Sequence, residues 1–84
     1  MKPLTNIVIF SRDNCTYCTQ AKALLDQRGI PFTEIDLDET AKTFLVSSGL
    51  KTVPQIFANG DRIGGFEDLR TALGLFHKTA GPIA

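Results

Sequence analysis

The sequence is short of net charge, long apolar runs and targeting features. Nine Lys and Arg residues balance nine Asp and Glu residues, so no overall field attracts nucleic acid or an anionic membrane. No apolar run approaches the roughly 18 residues that a membrane-spanning helix needs, and the first residues lack the cleavage pattern of a signal peptide. Repeats, low-complexity segments and linkers are also missing. We therefore expect residues 1–84 to form one cytoplasmic domain, a monomer that binds no nucleic acid and no membrane.

The distribution of apolar residues predicts alternating strands and helices. The run from Ile7 to Phe10 is apolar at every position, as in a central strand covered on both faces, and Asn59-Gly60 is typical of a two-residue hairpin turn. The predicted strands are 6–10, 31–38, 54–58 and 61–65, and the predicted helices are 17–28, 39–48 and 66–76. This order, β-α-β-α-β-β-α, predicts an α/β fold in which three helices cover both faces of a four-stranded mixed sheet.

The chain has only two cysteines, and they lie three positions apart in the sequence CTYC. Cys15 falls where the first strand leads into the first helix, and Cys18 lies one turn inside that helix. Unpaired backbone N–H groups and the helix dipole stabilise a thiolate at such a position, so we expect the pKa of Cys15 to lie below its usual value. Cys15 is then the predicted nucleophile, and the inward-facing Cys18 is predicted to resolve mixed disulfides formed on it.

Two other roles for the cysteine pair have less support in the sequence. A structural disulfide across so short a loop would restrict the unfolded chain very little. A zinc site needs about four ligands, and the chain's one histidine, His77, lies far from the pair with no second cysteine pair beside it. A Cys-X-X-Cys at a strand-to-helix junction of a small α/β chain favours redox chemistry instead.

Three motifs together resemble those of the glutaredoxins. They are CTYC at residues 15–18, TVP at residues 52–54 and GGFEDL at residues 64–69, and the resemblance extends from about Asn6 to Leu75. It implies a thioredoxin-like fold and a glutathione-dependent thiol-disulfide oxidoreductase, with glutathione as co-substrate and no tightly bound cofactor. Its protein partners would be glutathionylated or disulfide-containing proteins, of which ribonucleotide reductase is one candidate.

The resemblance also implies a glutathione site made from two segments. In glutaredoxins the TVP segment, here Thr52, Val53 and Pro54, has a cis proline. The residue before that proline, Val53, would offer backbone hydrogen bonds to the cysteinyl part of glutathione. The start of the last helix would meet the γ-glutamyl carboxylate, and Asp68 would meet the ammonium group. The residues implied there are Gly65, Phe66, Glu67 and Asp68. Taken alone, Pro54 also suits an ordinary trans strand start, and the two acids also suit the dipole of their own helix.

Three further side chains match glutaredoxin positions. Arg12 and Lys51 would receive the glycyl carboxylate of glutathione, and Arg12 would also stabilise the thiolate. Tyr17 would pack against the bound tripeptide, although rim packing explains a tyrosine near a helix start equally well. A solvated charge is the default for Lys51 and is our expectation for Lys22, and His77 is assigned no role.

One position departs from the family pattern. The commonest glutaredoxin site has proline where this chain has Thr16, which restores a backbone N–H and adds a hydroxyl close to Cys15. Some glutaredoxins with a small residue there hold a [2Fe-2S] cluster between two subunits, so Cys15 is a conditional cluster ligand, and no other metal ligand is expected. The remaining alternatives are an electron donor of the same fold that thioredoxin reductase reduces, and a non-catalytic binding module.

Overall fold

The computed structural model describes residues 5–74, in which four strands and three helices follow one another in the predicted order. The strands are β1 (Ile7–Ser11), β2 (Phe32–Asp36), β3 (Gln55–Ala58) and β4 (Asp61–Gly64), and the helices are α1 (Thr16–Gln27), α2 (Glu39–Ser47) and α3 (Phe66–Ala72). The ends differ from the predicted ones by at most two residues, except at the C-terminal end of α3. Within these residues, no helix has both the length and the apolar character to cross a membrane.

The strands form one mixed sheet in the order β2-β1-β3-β4. β1 pairs with β2 in parallel and with β3 antiparallel, and β3 pairs with β4 antiparallel. The hairpin between β3 and β4 turns at Asn59 and Gly60, whose φ values are 52° and 84°. Positive φ at both positions confirms the predicted two-residue turn. The four-stranded mixed sheet with three helices is therefore the fold that the sequence predicted.

Apolar packing covers both faces of the sheet. On one face Ile9 of β1 belongs to a cluster with Leu25 of α1 and Leu69 of α3, all fully buried. On the other face Phe10 packs in a cluster with Leu45 of α2. Neighbouring β1 side chains thus enter opposite clusters, which confirms that β1 is a covered central strand. Its C-terminal end is fixed on both faces, and the loop to α1 starts from that fixed point.

α3 is shorter than the apolar pattern predicts. It ends at Ala72 with Leu73 as its C-cap, and Gly74 then adopts a φ of 76°. Glycine accepts this left-handed conformation without a Cβ penalty and commonly stops a helix there. The predicted continuation to Phe76 and the position of His77 lie outside the described residues.

An ion pair connects α1 to β2. Lys22 Nζ lies 2.7 Å from Glu34 Oε2, and the buried Ser11 donates its hydroxyl to the same carboxylate. The hydrogen bond from Lys22, followed by that from Ser11, holds the pKa of Glu34 below its ordinary value. Our expectation of a solvated Lys22 is therefore wrong, because the pairing of β2 with β1 brings an acid beside it.

Replacing Glu34 with glutamine should lower the free energy of unfolding near neutral pH by about 0.5–1 kcal/mol, the usual size of a partly exposed ion pair. A carboxylate whose pKa is lowered by folding stabilises the fold fully at a pH above its unfolded-state pKa. This contribution is lost as the pH falls through the lower, folded-state pKa. Urea unfolding should therefore show a larger difference at about pH 7 than at about pH 3. Glutamine still accepts the Ser11 hydrogen bond, so a difference that is equally large in acid would contradict the charge argument.

Candidate active site

The two cysteines lie at the start of α1. Cys15 is the N-cap residue, and its Sγ accepts the backbone N–H of Cys18 at 3.1 Å. Cys15 is half-buried whereas Cys18 is 1% exposed, so the first sulfur is the one within reach of solvent. Both positions are the predicted ones. An N–H donor directed at a sulfur stabilises its thiolate form, and the thiolate is the form that attacks disulfides.

Cys15 and Cys18 form a disulfide, with their Cα atoms 5.2 Å apart. The first turn of α1 therefore accommodates the oxidised state of the pair. Among residues 5–74, no three His, Cys, Asp or Glu side chains are grouped as metal ligands. The chemistry that this arrangement supports is the reversible exchange between a dithiol and a disulfide.

The segment 52–54 lies against the first cysteine. The Val53 carbonyl oxygen is 3.9 Å from Cys15 Sγ; this is a contact and not a hydrogen bond, because a disulfide sulfur carries no proton. The Val53-Pro54 peptide bond is cis, which confirms that prediction. Pro54 is buried ahead of β3, whereas Thr52 is exposed. A peptide attached to Cys15 would therefore meet the Val53 backbone.

Gln55 fixes this segment, and motif reasoning missed it. Its side chain is buried, and its Nε2 donates to the carbonyl oxygen and the hydroxyl of Thr52 at 3.0 and 3.1 Å. Its Oε1 accepts a hydrogen bond from Arg62 Nε of β4 at 3.0 Å. A buried amide has to be hydrogen-bonded, so Gln55 ties Thr52 to β4. The available signal was a polar residue at the first position of an otherwise apolar strand.

A groove of about 220 Å³ lies between segment 52–54 and the start of α3, and we call it the α3 groove. It is lined by Tyr17, Thr52, Val53, Pro54, Gly65, Phe66, Glu67 and Asp68. All eight belong to the predicted glutathione set, so the structure brings together residues from three distant parts of the chain. Tyr17 stacks on Phe66 with ring centroids 5.9 Å apart, and the Arg70 guanidinium lies 5.8 Å from the Phe66 centroid. The two rings give the groove an apolar wall.

The turn into α3 depends on Gly64. Its φ is 127°, and a Cβ there would overlap the Asp68 carboxylate. Asp68 Oδ2 accepts the backbone N–H of Gly65 at 3.0 Å, so this carboxylate closes the first turn of α3 and also lines the α3 groove. Gly65 has a φ of −92°, so of the two glycines only Gly64 uses the left-handed region.

Replacing Gly64 with alanine should destabilise the fold by about 2–3 kcal/mol, because the methyl group strains the backbone and displaces Asp68. Gly49 provides the matched control, since its φ is 81° and a Cβ there would meet nothing within 4 Å. Gly49→Ala should cost about 1 kcal/mol from backbone strain alone. Urea unfolding of both variants measures the difference, and equal losses would contradict the overlap with Asp68.

Arg12 and Lys51 lie outside the α3 groove. They line a second groove of about 310 Å³, which also contains Lys42 and which we call the basic groove. Thr52 and Val53 line both grooves. The resemblance grouped Arg12 and Lys51 with the other predicted glutathione residues, whereas the structure places them in the basic groove, with Thr52 and Val53 at the boundary between the two grooves.

The family model for glutaredoxins matches residues 7–63 of this chain. Glutaredoxin 3 from Escherichia coli strain K12 is 41% identical over 69 residues, which cover 79% of this chain and 83% of that protein. The residues matched by the family model include both cysteines, segment 52–54 and most of the sheet.

Solved structures with similar folds include two that bear on the site. The buckwheat glutaredoxin-glutathione complex has a TM-score of 0.67 and 32% identity, and the similarity covers 93% of this chain and 81% of that one. NrdH-redoxin from Escherichia coli, a glutaredoxin-like protein with a thioredoxin-like activity profile, has a TM-score of 0.69 and 27% identity, covering 76% of this chain and 87% of that one. Together with the Cys-X-X-Cys disulfide at the start of α1, these matches show that the chain belongs to the glutaredoxin family of thiol-disulfide oxidoreductases.

Proposed function

We propose that this protein uses glutathione to reduce glutathione mixed disulfides and protein disulfides through Cys15 and Cys18. The observation that carries the proposal is the α3 groove, which joins the Val53 backbone, in contact with Cys15 Sγ, to Asp68. A tripeptide with a central thiol and charged ends suits a groove that offers backbone groups near the cysteine and a carboxylate further away. The likeness to a glutaredoxin solved with glutathione supports the same ligand.

The charges around the cysteine support one direction for the bound tripeptide. The γ-glutamyl ammonium would lie at Asp68, and the cysteinyl backbone would pair with Val53. The glycyl carboxylate would then point across the boundary toward Arg12 or Lys51 of the basic groove. The stacked Tyr17 ring would pack against the middle of the tripeptide.

In the first step of the proposed reaction, the Cys15 thiolate attacks the glutathione sulfur of a mixed disulfide. A bond forms between Cys15 Sγ and glutathione, the bond from glutathione to the substrate protein breaks, and the departing protein thiolate takes a proton from water. The Cys18 N–H, 3.1 Å from Cys15 Sγ, stabilises the thiolate before the attack.

Two routes then regenerate the Cys15 thiolate. A second glutathione attacks the sulfur of the glutathione held on Cys15 and leaves as glutathione disulfide. With a protein disulfide as substrate, Cys18 attacks the mixed disulfide on Cys15, and the product is the Cys15-Cys18 disulfide that the structure contains. Two glutathione molecules then reduce that disulfide.

The test follows NADPH consumption during turnover of a small glutathione mixed disulfide. One assay couples the protein to glutathione and glutathione reductase, and the other couples it to thioredoxin reductase. We expect turnover through glutathione. Turnover through thioredoxin reductase alone would overturn the proposal and favour an electron donor similar to NrdH-redoxin.

A [2Fe-2S] cluster shared by two subunits is the second candidate, because Thr16 stands where proline is usual. Cys15 fits the role of a ligand in its reduced form, since it is half-buried and has an N–H donor for a thiolate. Colour and dimerisation after anaerobic reconstitution would support this candidate. A colourless monomer would contradict the cluster and leave glutathione-dependent disulfide reduction as the proposed function.

The proposal extends to location and partners. A cytoplasmic setting suits a pair that must return to the dithiol state, because thiols are kept reduced there. The partners we propose are glutathionylated and disulfide-containing proteins, ribonucleotide reductase among them. Substrates trapped as mixed disulfides on Cys15 of the Cys18→Ser variant, and identified by mass spectrometry, would test this list.

A further inference from the structure

The basic groove holds more positive charge than glutathione needs. Its three cations, Arg12, Lys42 and Lys51, make no ion pair within residues 5–74, and no acidic side chain of that part of the chain lines the groove. The glycyl carboxylate of glutathione carries one negative charge. The remaining positive charge suits a ligand with more than one carboxylate.

The same groove has an apolar lining. Leu37, Leu45 and Leu50 contribute to it, together with Val46, which is 59% exposed. Lys42 and Val46 are four residues apart on α2 and therefore lie on one face of the helix. A volume of about 310 Å³ accommodates side chains from more than one residue. Acidic and apolar side chains together match this surface.

The groove is continuous with the reacting sulfur. Thr52 and Val53 line both grooves, and the Val53 carbonyl oxygen is 3.9 Å from Cys15 Sγ. An extended peptide bonded to Cys15 and paired with this backbone passes from one groove into the other. The charged side chains that line the α3 groove are the acids Glu67 and Asp68, whereas the charged side chains that line the basic groove are all cations. The bound peptide therefore has a preferred direction.

We propose that the basic groove binds the residues that follow the reactive cysteine of a protein substrate and selects acidic and apolar residues there. The proposal rests on the proposed function for the direction of the peptide, because the ammonium end of glutathione is placed at Asp68. When Cys15 attacks a protein disulfide, the substrate cysteine takes the place of the glutathione cysteine. The residues after it occupy the glycyl position and extend along the basic groove toward Lys42, which is not one of the two cations placed at the glycyl carboxylate.

The test measures how fast reduced Cys18→Ser protein attacks short peptides whose single cysteine is bonded to thionitrobenzoate. The Cys15 thiolate bonds to the peptide sulfur and the coloured thionitrobenzoate leaves, so absorbance reports the step without glutathione. One peptide has two glutamates and a leucine after the cysteine, the second has them before it, and the third has glutamines in their place. We expect the first to react about fivefold faster than the others at low salt, with a smaller advantage at high salt.

Two variants test whether Lys42 of the basic groove causes the faster reaction of the acidic peptide. Lys42→Gln should remove most of the advantage of the acidic peptide, whereas Arg28→Gln, an exposed cation at the other end of α1, should retain it. A full preference in Lys42→Gln, or a preference for acids before the cysteine, would overturn the proposal. In protein that retains Cys18, Lys42→Gln and Arg28→Gln should each turn over a small glutathione mixed disulfide at the rate of the unsubstituted protein. If the unsubstituted protein does not turn over the glutathione mixed disulfide, the proposed function is overturned. The peptide preference would still be measurable, because that assay uses no glutathione.

Discussion

Replacing Cys15 with serine is expected to abolish turnover of glutathione mixed disulfides and protein disulfides, with a loss on the order of a thousandfold or more. A serine hydroxyl is not ionised near neutral pH and forms no disulfide. Serine is a favoured N-cap residue, so it can still accept the Cys18 N–H, and α1 should begin at the same residue. The coupled NADPH assay measures the loss, and thermal unfolding of the reduced proteins checks that the fold is intact.

Two outcomes of this experiment would contradict the roles assigned. Disulfide exchange that continues through Cys18 would mean that the second cysteine is the nucleophile, against its exposure of 1%. Biological activity that survives without Cys15 would indicate a non-catalytic binding module.

Replacing Cys18 with serine is expected to separate the two reactions. Turnover of glutathione mixed disulfides should continue, because a second glutathione resolves the intermediate on Cys15. Reduction of protein disulfides should fall on the order of a hundredfold, since the resolving thiol held within one helical turn is lost. The substrate then stays bonded to Cys15, and intact-mass spectrometry should detect a one-to-one covalent adduct.

Cys18→Ala is the matched control for this variant. Cys18 is buried in α1, so serine buries a hydroxyl and destabilises the fold by about 1–3 kcal/mol, whereas alanine adds no polar group. The same separation of activities in both variants would assign it to the missing sulfur. Undiminished reduction of protein disulfides in both would contradict a resolving role for Cys18.

Local patterns in the sequence predict most of the fold. The apolar run of β1 and the Asn59-Gly60 turn depend on adjacent residues only, and both are present as predicted. The end of α3 differs because two local signals compete there. Apolar spacing continued the helix to Phe76, whereas Gly74 adopts a left-handed conformation just after Ala72. The backbone preference of glycine is the stronger of the two at a helix end.

The sequence predicted the residues of the candidate site that lie in motifs, but not the roles that depend on tertiary contacts. Eight predicted residues meet in the α3 groove. Neighbouring residues in the sequence do not determine which groove a long cationic side chain lines. The sequence therefore did not separate Arg12 and Lys51 from the residues of the α3 groove. The pairing of Lys22 with Glu34 follows from strand register, and the role of Gln55 follows from contacts across two strands and a loop.

The hydrogen bonds of Gln55 determine when segment 52–54 becomes ordered. Because Gln55 joins Thr52 to Arg62 of β4, the backbone beside Cys15 is set as the sheet folds and not when a ligand arrives. Ordering a backbone residue costs about 1–2 kcal/mol in conformational entropy, and this segment has lost that entropy before binding. Only the incoming tripeptide or peptide still has freedom to lose. Affinity at this site will therefore follow the stiffness of the ligand as well as its charge, and a conformationally restricted peptide should bind more tightly than a flexible one with the same side chains.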